Sequence, residues 1–396
     1  MAIKKRKKRT TIRLENVGPI SDAKLDLGDL TVLVGPQASG KSVFLQTLKL
    51  AADRNHVLAF FEQQNVVFNG DQAAVINGFY GRGMAGMLDN NPSVTWEGQR
   101  YDLSALTKFK KPKSSQTESL FYIPAQRVVS LPSGVSQTFG SFNFGDPFVL
   151  RYFAHRVHIL LQNEFGSTAQ LFPAKGRLNE TLKAPIAEHF FGGAQLKIEP
   201  KDFTKTLTLE IEGLSEGLPF LAWSAGQREF VPLLLGLYWL CPAGKVSRRD
   251  SIKWVVVEEP EMGLHPRAVS TFLLMVLELM RRGYKVLIST HSTVVLDLIW
   301  ALRQIQECAG TEADVRELFE LNSNPTTKQI AESALAKDYS VYFFERGEPA
   351  QDISSLDPGS EDEAVSNWGD LNGFAGRSAD VVAKVVSRAN AAAAEK

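Results

Sequence analysis

The sequence predicts an α/β fold: a mixed β sheet flanked by helices, with an inserted helical and β lobe and a short C-terminal extension. Three observations predict it. A glycine-rich loop, Gly35 to Ser42, stands between an apolar strand and a helical pattern. The β-branched run Trp254 to Val257 ends abruptly in carboxylates, and a second apolar run, Val286 to Ser289, ends in Thr290-His291. Strands buried on both faces read as such continuous runs, and intervening helices supply the crossovers of a largely parallel sheet.

In chain order, Thr11 to Leu14, Ala23 to Leu27 and Thr31 to Val34 read as short strands separated by turn signals at Gly18-Pro19 and Gly28-Asp29. A helical pattern runs from Val43 to Ala52, and Leu58 to Gln99 is mixed and rich in Asn and Gly. Lys108 to Thr117 is a polar, basic linker before a sharp strand, Leu120 to Ile123. A Gly, Ser and Phe-rich loop then leads to Phe148 to Glu164, whose apolar spacing is helical and opens the inserted lobe. That lobe closes near Gly213, after strands around Leu196 to Ile198 and Leu207 to Ile211. Phe230 to Leu240 is the longest apolar stretch, a buried helix, since a bilayer span takes about 20 residues. Tyr339 to Glu345 reads as one more strand and Asp380 to Ala393 as a final helix. The expected division is 1–127 and 214–310 as two halves of one head, 128–213 as the inserted lobe, and 311–396 as an extension that packs on the head or docks a partner.

Composition narrows the class. With 396 residues there is ample material for a core, which disfavours a disordered or fibrous chain. Lys plus Arg and Asp plus Glu both number 44, so any polyanion site is a local patch. The basic run Lys4 to Arg9 has no apolar run behind it and is not a secretory signal; it is a solvated tail or a contact with nucleic acid or an acidic partner. Cys241 and Cys308 have no metal-ligand spacing and form no disulfide framework, which suits a reducing cytoplasm.

Four motifs carry chemistry. Gly35-Pro36-Gln37-Ala38-Ser39-Gly40-Lys41-Ser42, followed by Val43, is a phosphate loop: glycines let backbone N–H groups close around phosphates, Lys41 adds a cation, and the Ser42 hydroxyl ligates Mg²⁺. Glu258 and Glu259 end a buried strand, a costly place for charge unless Mg²⁺ is held through Glu258 and an attacking water is activated by Glu259. Ser224-Ala225-Gly226-Gln227 opens the long apolar helix, either as an anion site or as a simple N-cap. It lies 34 residues before Glu258, and His291 lies 32 residues after Glu259, where a strand delivers it as a γ-phosphate sensor or a core histidine.

In this order the four motifs resemble the ABC-type ATPase superfamily, within it the SMC, RecF and OLD branch. Ile12 to Ile20, the phosphate loop, Tyr122 to Arg127, Glu258 to Pro266 and Thr290 to Ser292 carry the resemblance. It implies an ABC-type P-loop head that binds ATP and Mg²⁺ and works as a homodimer or higher homo-oligomer, the Ser224 to Gln227 turn of one copy capping the γ-phosphate held by Lys41 of the other. It also implies Gln126 as the Q-loop residue near the metal and nucleotide, with Gln63 and Gln64 as substitutes, and Gly263 to Pro266 as the D-loop.

The 183 residues between Lys41 and Ser224 are too few for long SMC coiled coils, and the tail shows no acidic Toprim pattern, its Asp357 to Glu363 cluster reading as a solvated loop. The expectation is a regulatory ATPase acting on a separate nuclease or toxin in bacterial anti-phage defence. The alternative is a RecF-like repair ATPase in which Lys4 to Arg9 and Lys108 to Lys113 contact DNA. A transporter head, with a membrane partner, is disfavoured because no Tyr precedes the phosphate loop to stack on adenine.

Overall fold

The computed structural model describes residues 9–108, 117–165, 170–201, 204–242 and 248–394. Its centre is a sheet in the order Gln351–Asp352, Tyr339–Phe343, Leu30–Val34, Lys285–Ser289, Trp254–Glu258, Leu120–Ile123. All neighbours run parallel except the edge strand Gln351–Asp352. Leu30–Val34, Trp254–Glu258 and Leu120–Ile123 are buried throughout, as their unbroken apolar runs require. The register pairs Ser289 with Glu258 on one side and Leu33 on the other. The chain therefore leaves all three strands at the same edge, where open α/β sheets bind ligands.

Residues alternate between two apolar clusters along these strands, as the pleat dictates. Val32, Val34, Ile123, Val255 and Val257 face one cluster, which takes in the helix Ala225–Leu240 and insertion residues such as Phe153, Leu182 and Leu207. Leu33, Tyr122, Val256 and Leu287 face the other, with Phe44, Leu45 and Leu48 of the helix Lys41–Gln63.

The first two expected strands extend to Thr10–Val17 and Ile20–Leu27 and join Ser93–Trp96 and Gln99–Asp102 in a separate antiparallel sheet. A third, antiparallel sheet holds Gln170–Phe172, Gln195–Lys201, Thr204–Glu210 and Leu218–Pro219, the last of these beyond the expected end of the lobe near Gly213. The helix after the phosphate loop outruns its expected end at Ala52. Its geometry breaks at Asp53 (φ −123°, ψ 24°) and it then continues to Gln63. The strand Tyr339–Phe343 pairs with Leu30–Val34, bringing the C-terminal segment into the central sheet. The final helix begins earlier than expected, at Gly373.

Most of the two basic segments proposed to meet DNA, Lys4 to Lys8 and Lys110 to Lys113, lies outside the described residues. Arg9 is ion-paired with Asp338 at 3.0 Å.

Candidate functional site

The phosphate loop is fixed by two close approaches. Gly35 has φ +137°, and a Cβ there would fall 2.0 Å from the Phe344 carbonyl oxygen; Gly40 has φ +103°, and its Cβ would lie 2.7 Å from Ile20 Cγ1. Only glycine fits either place. No side chain caps the helix that starts at Lys41, so its first-turn N–H groups remain for an anion. Lys41 is buried, and its Nζ donates to the Gly35 and Pro36 carbonyls at 2.7 and 2.8 Å. Burial pulls its pKa down to about 8, with Glu259 and Glu261 opposing the shift.

Across the cradle, Glu258 ends its strand almost wholly buried. Burial raises its pKa, against the Ser42 and Tyr122 hydroxyls and the Ala125 N–H, which favour the carboxylate. The Ala125 N–H reaches Oε2 at 3.3 Å, while Oε1 is buried with no hydrogen-bond partner among the described residues. Glu259 turns the chain with φ +40°, a strained value for a residue with a side chain, held by its N–H on the Ser289 carbonyl at 2.9 Å. That turn aims its carboxylate at His291, with Oε1 3.7 Å from Nε2. Burial and the nearby Lys41 lower the His291 pKa; Glu259 opposes them, and the net lowering favours the neutral imidazole at pH 7. Glu261 accepts the His291 backbone N–H at 2.5 Å and so positions that residue.

Arg127, fully buried, clamps this acidic turn. It donates to the carbonyls of Glu258 at 3.1 Å, Glu259 at 3.3 Å and Glu229 at 3.1 Å. It thereby joins the carboxylate turn to the N-terminal end of Ala225–Leu240 at Glu229.

Gln37 to Val43, Glu259 and His291 line one cavity of ≈ 580 Å³, joined by Gly18, Pro19, Met84, Met87 and Arg346. Glu258 sits behind Ser42 rather than on the wall, and Gly35 and Pro36 form the back of the loop. Gln126 is exposed and does not line this cavity. Gln63 and Gln64 stand at the far end of the Lys41–Gln63 helix, roughly 30 Å from Lys41 at 1.5 Å per residue, too far to replace it.

Ser224 to Gln227 also lie elsewhere. They form a reciprocal cap, the Gln227 N–H donating to Ser224 Oγ at 3.2 Å and the Ser224 N–H to Gln227 Oε1 at 3.0 Å. Gly226 packs on Gly263, where a Cβ would come 2.8 Å from the Gly263 carbonyl oxygen.

Met84, Met87 and Arg346 were not singled out from the sequence, and Arg127 entered only as the end of the Tyr122 to Arg127 stretch that carries the resemblance. Arg346 reaches the cavity only because Tyr339–Phe343 pairs beside the loop strand, and the methionines lie in the stretch rich in Asn and Gly. Among the described residues no group of three or more His, Cys, Asp or Glu side chains is arranged to hold a metal, the acidic Asp357 to Glu363 loop included. No described helix is long and apolar enough to cross a membrane.

The sequence matches no curated protein. Among solved structures it is similar to an Smc head bound to the C-terminal winged-helix domain of ScpA, at 13% identity and TM-score 0.37, covering 74% of this chain and 91% of that one. It is also similar to the SMC head domain of Thermotoga maritima, at 13% identity and TM-score 0.32, covering 74% and 92%. A third is a Pyrococcus furiosus Smc head with an extended coiled coil bound to the C-terminal domain of ScpA, at 13% identity and TM-score 0.32, covering 72% and 90%. A family model described as "AAA domain, putative AbiEii toxin, Type IV TA system" matches residues 30–297, which hold the phosphate loop, both strand-end glutamates and His291, and the chain belongs to that family.

Proposed function

We propose that this chain is a cytoplasmic Mg²⁺-dependent ATPase whose site is completed by a second copy, and that nucleotide-controlled pairing of the copies governs a separate effector, a nuclease or toxin. The observation that carries this reading is the convergence of Lys41, Ser42, Glu259 and His291 on one cavity, with Glu258 behind Ser42. The uncapped helix start and Lys41 would receive the phosphates, and the apolar surface of Pro19, Met84 and Met87 would receive the base. Glu259, held on a strained turn, would orient the attacking water and take its proton. His291 would donate a hydrogen bond to the γ-phosphate. Mg²⁺ fits the Ser42 hydroxyl and the unpartnered Glu258 oxygen, reached through water, and would neutralise charge between the β and γ phosphates. Gln126 joins this set only if its turn swings toward the cavity.

The Ser224 to Gln227 turn is exposed at Ser224 and Ala225, half-buried at Gly226 and Gln227, and lines no part of its own chain's cavity, which suits action on a partner's γ-phosphate. There the phosphate would compete with the turn's own reciprocal cap. The effector and the defence role rest on the resemblance to the OLD-like branch without a Toprim domain. The family description, which names a type IV toxin–antitoxin system, favours a two-component module.

Turnover measured against protein concentration, with mass in parallel, tests the composite site. Specific activity should rise with concentration, Glu259→Gln should trap an ATP-bound assembly, and Ser224→Arg should be inactive. Concentration-independent turnover by a verified monomer, with a normal Ser224→Arg, would refute it.

A further inference from the structure

A second cleft, of ≈ 270 Å³, opens at the amino ends of Leu120–Ile123 and Trp254–Glu258, the sheet edge opposite the phosphate loop. Its wall includes Arg156, Trp239 and Arg249, with His56 and Gln63 from the second half of the Lys41–Gln63 helix. Both guanidinium groups lie over the Trp239 ring, 4.9 Å (Arg156) and 4.2 Å (Arg249) from its centroid. Stacking fixes their planes and leaves their edges for hydrogen bonding.

Arg156 commits Nη2 to Glu118 Oε2 at 3.1 Å. Arg249 commits Nε to the Trp239 carbonyl at 2.9 Å and Nη2 to Glu164 Oε1 at 2.7 Å. Nη1 of each has no hydrogen-bond partner among the described residues. Glu118 is the only carboxylate on the wall among them, and it already accepts from Lys49, Tyr152 and Arg156. Burial lowers the His56 pKa and the Tyr152 hydroxyl engages its Nε2 at 2.9 Å, so the charges on the described wall are two cations against one fully engaged carboxylate.

We propose that this cleft binds a single anionic group, a carboxylate or a phosphate, on the free edges of Arg156 and Arg249 beside Trp239. The volume suits one such group and not a nucleotide. A planar, fixed pair of forks is the geometry that selects these anions.

Calorimetric titration of the full chain with inorganic phosphate, and separately with N-acetyl-aspartate, tests the proposal. Saturable binding of one probe per chain should survive Lys41→Ala, which disables the phosphate loop, and weaken by about tenfold or more in Arg249→Gln, which loses charge-assisted hydrogen bonds. Glu164 keeps its 2.5 Å pair with Arg177 in that variant, so the fold should hold; if it does not, Arg249→Lys carries the same test with a smaller loss. Response to phosphate alone assigns the cleft to phosphate-bearing ligands, and response to N-acetyl-aspartate to carboxylates. Absence of saturable binding by the folded wild type overturns the proposal, as does binding indifferent to both Arg249 variants or abolished by Lys41→Ala.

Discussion

Lys41 and Lys49 stand roughly two turns apart on one helix, both buried, in opposite electrostatic settings. Around Lys41 burial wins. It draws that lysine down to about 8 and pushes Glu258 and Glu261 up, and a buried oxygen of each glutamate has no partner among the described residues. Around Lys49 burial loses: Asp53 and Glu118 outweigh it and raise the lysine, while Lys49 and Ser119 outweigh it at Asp53 and lower that carboxylate. Lys49 Nζ is satisfied by Asp53 at 2.7 Å, Glu118 at 2.8 Å and the Leu120 carbonyl at 2.5 Å. Burial of charge alone therefore does not mark a site. The Lys49 cluster completes itself and fastens the helix to a strand end; the Lys41 cluster has its shortfall at the carboxyl edge of the sheet, where a charged ligand would fill it.

The comparison breaks first at Lys49. Lys49→Met leaves Asp53 and Glu118 buried without their counter-charge and should cost about 3–5 kcal/mol in denaturant unfolding. Lys41→Met should change stability by less than about 1 kcal/mol, since it removes a cation that burial already disfavours, yet abolish binding of a fluorescent ATP analogue. Similar unfolding costs in the two variants would erase the distinction.

Glu259→Gln sharpens it from the catalytic side. Loss of the base should slow ATP turnover by about 10²-fold or more while nucleotide affinity is kept. The Lys49 network is untouched, so the unfolding midpoint should match wild type. A variant that hydrolyses normally would remove Glu259 from the chemistry.

Much of the nucleotide cleft was legible because its motifs interrupt patterns that burial makes strict. A continuous apolar strand that stops at Glu258-Glu259, or at Thr290-His291, announces its own end, and Gly35 and Gly40 occupy backbone that other residues cannot. The clamp was not legible: Arg127 entered only as the last residue of the Tyr122 to Arg127 stretch, and Gln126, its exposed neighbour, was the residue given a role at the site. Lys49 and Asp53 drew no reading from the sequence, because their third partner, Glu118, is remote in sequence. The same network accounts for the helix end. The expected stop at Ala52 falls where the geometry does break, but Asp53 accepts the Ser119 and Leu120 N–H groups and the helix continues beyond it. Met84, Met87 and Arg346 reach the cavity through tertiary pairing, for which periodicity carries no signal.

A smaller effect follows from the Lys41 pKa of about 8. The ammonium form is lost as pH rises through that value, so ATP affinity should fall by about tenfold between about pH 7 and about pH 9. Lys41→Arg stays charged throughout and should lose this limb in a binding titration. A flat wild-type profile would place Lys41 outside phosphate recognition.

The smallest effect isolates the open carboxylate. Glu258 is raised in the folded state by burial, so folding favours its protonated form, and its ionisation erodes stability as pH rises from the ordinary glutamate range through the raised folded value. Glu258→Gln removes that ionisation while keeping the shape. At neutral pH the variant should be more stable than wild type by about 1 kcal/mol, the low end of the cost of an unsatisfied buried polar group, and the difference should shrink on acidification. Asp53→Asn should behave in the opposite sense at neutral pH, because there the charged form is the one the fold prefers. If Mg²⁺ with ATP stabilises wild type against unfolding but adds less to Glu258→Gln, the open oxygen is a metal-side group; equal gains in both would leave Glu258 a buried acid with no part in metal binding.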